Sequence, residues 1–359
     1  MPVRRIFGFL LVLSASIFAG PLTSQAGDKP DVIRIGVAMA GVGGRPYSAG
    51  NYISGVHVKG LLEKDFAADG TKIEWHFFAG AGPAVNEALA SGQLDFAWQG
   101  DLPEIVGRSL GLKTRLLLAA GTRFPTYIAI PSDSTLKSLA DLKGRTVSNF
   151  NGTLFQLTAA NILSTVGLSY RDLKVVNLDA ATSLSALAAH QVDASFTSYY
   201  SFGARDKGLI KYLYTTKGQD PKLSSQAAFL VTDDFAKAHP AIVNRVVKVL
   251  VGEAHWASEP ANQPALYDIW AKVGVPAALF KEAQAGEDPK ILNSPLFDDF
   301  ITAQYERSAA NSLRFNLIRS PVDMNGWIDR EPLKLALQSL GLERYWPEFD
   351  KDGKPVVTQ

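Results

Sequence analysis

The sequence predicts an α/β chain of two similar lobes that face each other across a ligand cleft. One observation is local. Ile73 to Pro103 reads as an apolar strand, a Gly-rich turn, a helix opening at Pro83, and a short strand ending in the polar Gln99-Gly100-Asp101 turn. That is one βαβ unit, and in open α/β sheets ligands sit beyond the carboxyl ends of the strands. The second observation is that the unit recurs. Ala88-Leu89-Ala90-Ser91-Gly92-Gln93-Leu94-Asp95 aligns without a gap to Ala186-Leu187-Ala188-Ala189-His190-Gln191-Val192-Asp193, at an offset of 98 residues. Such an offset is far longer than a solenoid repeat. Either copy alone is an ordinary way for a helix to hand over to a buried strand. Both in one order, with Trp75 to Phe78 falling on Leu173 to Val176, indicate two like lobes. The third observation is a change of character from Asp233 onward, where the pattern becomes helical and no Pro-, Gly- or Ser-rich linker intervenes.

The elements follow in order. Val32 to Val37 alternates as a first strand, and Ala40 to Tyr47 is a turn rich in permissive residues. Ser54 to Phe66 reads as a helix, the βαβ unit follows, and Leu102 to Ser109 is the next helix. Leu116 to Ala120 is a strand. Gly121 to Pro125 interrupts it before Tyr127 to Ile130 resumes, which marks a crossing into the second lobe. There, Ser138 to Gly144 is a short helix and Thr146 to Ser148 a strand. Asn149 to Thr153 then turns into a helix over Leu154 to Thr165. Strand Lys174 to Asn177, a helix ending at His190 and strand Ala194 to Phe196 complete the lobe, and the chain returns near Thr215 to Ser225. The last third carries helices at Ala241–Ser258, Gln263–Val273, Pro295–Asn311 and Glu331–Leu340. In the first of these, Ile242, Val246, Val249, Leu250 and Trp256 form one buried stripe. The expected division is therefore a leader over 1–26, lobe I over 27–122 and 223–359, and lobe II over 123–222.

Arg4 and Arg5 precede an apolar run from Ile6 to Ala19, and Ser24-Gln25-Ala26 offers small residues for cleavage before Gly27. These are the three marks of a secretory signal peptide; the run is shorter than the roughly 18 residues a membrane span requires. The chain carries 36 basic and 35 acidic residues, so removing the leader leaves a net charge near −1. No basic stripe appears, which argues against nucleic acid as a partner. The absence of cysteine excludes disulfides, thiolate metal sites and thiol nucleophiles. About 330 remaining residues suffice for two domains without such staples. His57, His76, His190, His239 and His255 show no metal-ligand spacing, so no metal and no cofactor is expected. Dinucleotide, P-loop and Gly-x-Ser-x-Gly signatures are also missing.

These residues resemble the aliphatic sulfonate and taurine solute-binding proteins of bacterial ABC importers, within the broader nitrate/sulfonate/taurine group. The resemblance covers nearly the whole chain after the leader. Its most specific pieces are Phe78-Ala79-Gly80-Ala81-Gly82-Pro83 with Glu87-Ala88-Leu89, Gly92 to Phe96, and Gly100-Asp101-Leu102-Pro103. Leu139 to Arg145, Asn151-Gly152-Thr153 and Arg319 to Asp323 match too. It implies a type II periplasmic binding protein fold, each lobe a βαβ-based mixed sheet flanked by helices, closing by hinge bending around its solute. It also implies a periplasmic, monomeric protein that delivers a small anionic solute to an ABC permease in the inner membrane. Where the sulfonate binders carry Asp-Ala-Trp…Trp-Asp-Pro, this chain has Asp193 to Tyr200 with neither tryptophan, and Gly43-Gly44-Arg45-Pro46-Tyr47 is an unusual first loop. Nitrate, an aromatic sulfonate, a sulfate ester or a pyrimidine-like precursor therefore stand beside a simple alkanesulfonate. From other classes, a secreted small-anion enzyme or a sensor partner on the same fold remains. The sulfinate desulfinase and thiamine-pyrimidine synthase of this fold use cysteine-containing sites, which this chain lacks.

A sulfonate stays ionised at neutral pH, so the site must supply donors. Backbone N–H groups after Gly80, Gly82, Pro83 and Gly152, the Asn151 turn and the Thr153 hydroxyl are expected to do so, with Gln99 and Gly100 at the facing corner. Ordinary turn glycines are the alternative. Arg45 and Arg123 each sit beside a strand end, where an arginine binds an oxyanion through two parallel N–H bonds. Solvent is the commoner surrounding for an arginine; Arg45 is the stronger candidate and Arg145 a solvated one. Gly43 and Gly44 would bring backbone close beside Arg45. Tyr47, Tyr199 and Tyr200 are expected to wall the solute's tail, whereas Phe155 belongs to the core. Asp101 either holds a solute amine or caps the helix that follows it; the cap is preferred, since a carboxylate repels an anion.

Overall fold

The computed structural model describes Met1 and residues 29–356. The expected leader over 1–26 and its cleavage before Gly27 lie, Met1 apart, outside the described residues. In chain order the elements are β1 (Val32–Val37), α1 (Ile53–Lys59), α2 (Leu61–Phe66), β2 (Lys72–Phe77), α3 (Ala81–Ala90), β3 (Phe96–Gly100), α4 (Asp101–Ser109) and β4 (Thr114–Ala119). Then come β5 (Tyr127–Pro131), β6 (Thr146–Asn149), α5 (Leu154–Ser164), β7 (Lys174–Asn177), α6 (Ala180–Ala188), β8 (Ala194–Thr197), α7 (Phe202–Asp206) and β9 (Ile210–Thr215). After β10 (Ala227–Thr232) the chain is helical: α8 (Asp233–Ala238), α9 (Pro240–Ser258), α10 (Gln263–Ala271), α11 (Ala277–Ala283), α12 (Pro289–Leu292), α13 (Asp299–Arg314) and α14 (Glu331–Leu340).

Two five-stranded mixed sheets result, ordered β2-β1-β3-β10-β4 and β7-β6-β8-β5-β9. In each, the fourth strand runs antiparallel to its neighbours, and that strand comes from across the crossing. β5 enters the second sheet between β8 and β9, and β10 returns to the first between β3 and β4. Neither β9 nor β10 was expected from the sequence. Their partners lie far along the chain, as in Leu230 opposite Ala97, and no local pattern encodes that pairing.

The two crossing segments, 120–126 and 216–227, are hydrogen-bonded to each other. Phe124 and Ser225 exchange backbone bonds of 3.1 and 3.2 Å, and Thr216 N–H donates to Thr126 O at 3.0 Å. They form a narrow two-stranded ribbon between the sheets.

The internal repeat has a geometric cause. Asp95 and Asp193 each follow a helix and accept the N–H at the head of a neighbouring strand, from Arg34 and Thr146 respectively, both at 2.8 Å. Each also donates its own N–H back to that residue's carbonyl. The turn before each aspartate requires a left-handed residue: Gly92 has φ 69° and His190 has φ 56°. Glycine adopts this region freely, while histidine is strained there.

One face of the first sheet buries Ile33, Ile35, Phe96, Phe229 and Val231 beneath α1, α9 and α14. The other buries Ala97, Leu116 and Leu230 beneath α3, α4 and α13. The helical third thus belongs to the first sheet's core. On α9 the buried stripe runs through Val243, Val246, Val247, Leu250 and Ala254, so Ile242, Val249 and Trp256 lie at its edges rather than along it. The helix expected over Ser54 to Phe66 is broken at Gly60, whose left-handed φ of 59° ends α1. The segment expected as a helix at Ser138 contains one turn of 3-10 helix, closed by a reciprocal Ser138–Asp141 cap.

Candidate functional site: the hinge-side cavity between the sheets

The carboxyl ends of β1, β2 and β3 face those of β6, β7 and β8, so the expected corners do meet. What fills them is protein. A β-carbon at Gly152, whose φ is 75°, would fall 2.7 Å from Pro83 Cγ, and one at Gly100 would fall 2.8 Å from Leu154 Cβ. Gly82 is packed in the same way against Pro103, while Gly80 and Pro83 lie exposed at the rim. Gly100 and Gly152 therefore allow backbone-to-side-chain approach between the two halves, and Gly82 allows it within the first.

The donors expected at the Asn151-Gly152-Thr153 turn are already engaged. Gly152 N–H bonds to Gln156 Oε1 at 2.7 Å, and Asn151 N–H to Asn177 Oδ1 at 2.9 Å. The Thr153 hydroxyl donates to Phe150 O and accepts from Phe155 N–H, which makes it the N-cap of α5. Gln99 is buried, with Nε2 on Asn86 Oδ1 and its Oε1 left without a hydrogen-bond partner among the described residues.

Asp101 faces away from the corner. Its Oδ1 accepts Leu102 N–H and its Oδ2 accepts the Ser308 hydroxyl of α13, both at 2.8 Å. Burial raises its pKa from the ordinary 3.8 to about 6, against the lowering effect of those bonds. With Glu104, bonded by Tyr305 and also raised by burial, it forms an internal polar joint between α4 and α13. A ligand amine has no access to it.

The first loop is also placed differently from expectation. Gly43, Gly44 and Arg45 are exposed on a turn docked against Val273 and Gly274, and Val42 N–H bonds to Val273 O at 2.7 Å. Tyr47 stacks 5.8 Å from His57 on the outer side of α1. None of these four lines the cavity described next. Sequence spacing could not show this, because the turn's anchor at Val273 is more than two hundred residues away.

Open volume lies instead on the hinge side, in a cavity of about 190 Å³. The crossing segments supply Thr122, Arg123, Phe124, Pro125, Thr216 and Lys217. Lobe-facing walls come from Gly50, Ser198, Tyr199, Trp270, Phe280, Gln284 and Glu287. Of the residues expected to bind ligand, this cavity brings together Arg123 and Tyr199. Tyr200 stands behind Tyr199, at 5.8 Å between rings, and faces Phe155 edge-on at 6.4 Å. Phe155 is thus half-buried at this seam rather than in the core. Burial pushes the Tyr200 hydroxyl up to about 12, so it is a neutral donor at physiological pH.

Arg123 is the cavity's main cation. Its backbone is left-handed, with φ 55°, and its N–H is held by Gln226 Oε1 at 3.1 Å. The guanidinium stacks 4.2 Å from the Phe349 ring and 5.0 Å from Phe300. Nη2 is buried and has no hydrogen-bond partner among the described residues, a costly state for a charged donor. Lys217 adds a second charge and donates to Ala283 O at 2.8 Å, at the carboxyl end of α11. The sequence reading missed Phe124, Lys217 and the whole of α11. Only the Lys217-Gly218 turn signalled anything there, and a lone turn names no site.

A bidentate ion pair lies next to this cavity: Arg205 of α7 meets Glu282 of α11 at 2.5 and 2.9 Å. It links the second sheet's helices to the first sheet's core, beside the Tyr199–Phe280 ring contact at 4.8 Å. Arg145 is exposed, 4.0 Å from Asp193, beside an open outer depression where Asp141 caps its own turn. Among the described residues no three or more His, Cys, Asp or Glu side chains gather as a metal site. No described helix is long and apolar enough to cross a membrane.

A sequence model of one family, described as NMT1/THI5 like, matches residues 66–262. The chain belongs to the NMT1/THI5-like family. A Bacillus subtilis (strain 168) relative, provisionally named an aliphatic sulfonates-binding protein, is 27% identical over 284 residues, spanning 78% of this chain and 83% of that one. A solved structure from Methylobacillus flagellatus KT is provisionally described as the periplasmic sulfonate-binding protein SsuA of a sulfonate ABC transporter. It superposes with a TM-score of 0.77 at 28% identity, covering 90% of this chain and 99% of that one. The desulfurization enzyme DSZB shares the fold at a TM-score of 0.63 and 16% identity, over 86% of this chain and 99% of that one. This chain has the type II periplasmic binding protein architecture, on which both binding proteins and an enzyme are built.

Proposed function

We propose that this chain is the periplasmic solute-binding component of an ABC importer and that it binds a sulfonate anion. Residues 27–122 with 223–359 form one body and 123–222 the other. They close about the crossing ribbon and pass the solute, chemically unchanged, to a membrane permease. The leader over 1–26 directs export, and the mature protein acts as a monomer.

The observation that carries this reading is a cavity joining both bodies, lined by Arg123 and Lys217 of the crossing segments and by Ser198 and Tyr199. A permanently ionised oxyanion matches the two cationic residues of this lining and accepts from the Ser198 hydroxyl. The cavity joins groups from both bodies, so a ligand gains its full contacts only when they are closed. Differential affinity then shifts the open–closed balance. The sulfonate-binding relatives support the same ligand class.

Titration calorimetry with a short alkanesulfonate tests this. Arg123→Gln should weaken binding by about 100-fold, the scale of one lost charge-assisted pair. Unchanged affinity in a variant with an unchanged melting temperature would remove Arg123 from the site. Turnover of the sulfonate by the wild-type protein would move the reading to an enzyme.

A further inference from the structure

Resting on that reading, we infer that the tail slot beside Arg123 is shaped for one ring, so that the preferred solutes are sulfonates bearing a single aromatic ring. The cavity of about 190 Å³ is lined by the Phe124 and Tyr199 rings among polar side chains that include Gln284 and Glu287, with the buried Phe280 and Trp270 backing the rings. An apolar cavity of about 150 Å³ suffices to hold benzene. The slot therefore takes one ring and leaves little room for a second.

The walls are held in place by packing. Phe280 is 1% exposed in the first sheet's core and stacks against both Trp270 at 5.6 Å and Tyr199 at 4.8 Å. Phe124 sits over Gly50, whose β-carbon position would be 3.7 Å from the Phe124 ring and 3.9 Å from Tyr199. Absence of a side chain at Gly50 thus opens the floor between two rings. Arg123, Lys217 and Glu287 line the same cavity as the Phe124 and Tyr199 rings. Offset or edge-on contacts with the Phe124 and Tyr199 rings favour a flat aromatic body over a short alkyl tail.

The test compares benzenesulfonate with ethanesulfonate by calorimetry on the mature chain. Wild type should bind benzenesulfonate about 10-fold or more tightly than ethanesulfonate. Ala283→Leu places an isobutyl group where the cavity wall now has a methyl. It should weaken benzenesulfonate about 10-fold or more while leaving ethanesulfonate within about 3-fold. Phe124→Leu, which removes a ring without filling the slot, should lower the preference in the same direction if Ala283→Leu proves unstable. Equal or tighter binding of ethanesulfonate by wild type overturns the inference and leaves the sulfonate-carrier reading standing. So does equal weakening of both ligands by Ala283→Leu. Failure of both sulfonates to bind removes the carrier reading itself and this inference with it.

Discussion

Replacing Asp101 by asparagine should abolish a pH dependence of stability that wild type must show. The carboxylate is 3% exposed and heads α4, one residue beyond the corner at Gly100. Desolvation raises its pKa from 3.8 to about 6, while Ser308 and the Leu102 N–H pull it down. The folded protein therefore binds this proton more tightly than the unfolded chain. Its contribution is fully present below pH 3.8 and is lost as pH rises through about 6. Two units at 1.36 kcal/mol each amount to about 3 kcal/mol, roughly half of it falling between pH 5 and 8. Asparagine keeps the shape, can still accept from Leu102, and can donate to the Ser308 hydroxyl. Urea denaturation of both proteins between pH 5 and 8 isolates the residue together with its coupling to Glu104, because titrating groups not coupled to Asp101 cancel in the difference. The gap should move in favour of Asp101→Asn by about 1.5 kcal/mol across that range. A gap independent of pH would show that Asp101 is solvated, and would reopen it as a ligand contact.

Further outcomes follow from the same geometry. Glu282→Gln breaks the bidentate pair with Arg205, whose side chains are 29% and 45% exposed, so the loss should be only about 0.2–1 kcal/mol. Because the pair joins the two bodies, that loss should appear as a ligand Kd raised by up to about 5-fold and less sensitive to salt. Unaltered Kd and salt dependence would mean the pair persists when the bodies open. His190→Gly relieves a left-handed histidine at the position Gly92 holds in the first copy, and should raise the urea midpoint by about 0.5–1 kcal/mol of stability. A lower midpoint would imply that His190 makes contacts worth more than its backbone strain.

The repeated unit was legible because its causes are local. Asp95 and Asp193 bond to the strand beside them, a left-handed residue ends each helix, and apolar spacing marks the buried faces. From these the two-lobed α/β class and the βαβ order follow without any knowledge of distant contacts. Tertiary structure decided the rest. Strand β10 pairs with β3 and β4 across more than a hundred residues, and its alanine-rich run carries no alternation to betray it. The glycines at 82, 100 and 152 read the same in sequence whether a ligand or a neighbouring proline and leucine lies against them; only packing shows that it is the latter. Arg123, Phe124, Tyr199, Lys217 and Phe280 come to line one cavity because two crossing segments and a short helix from the last third converge there. Local periodicity determines which faces are buried, but which distant side chains share a cavity is set by how those faces stack.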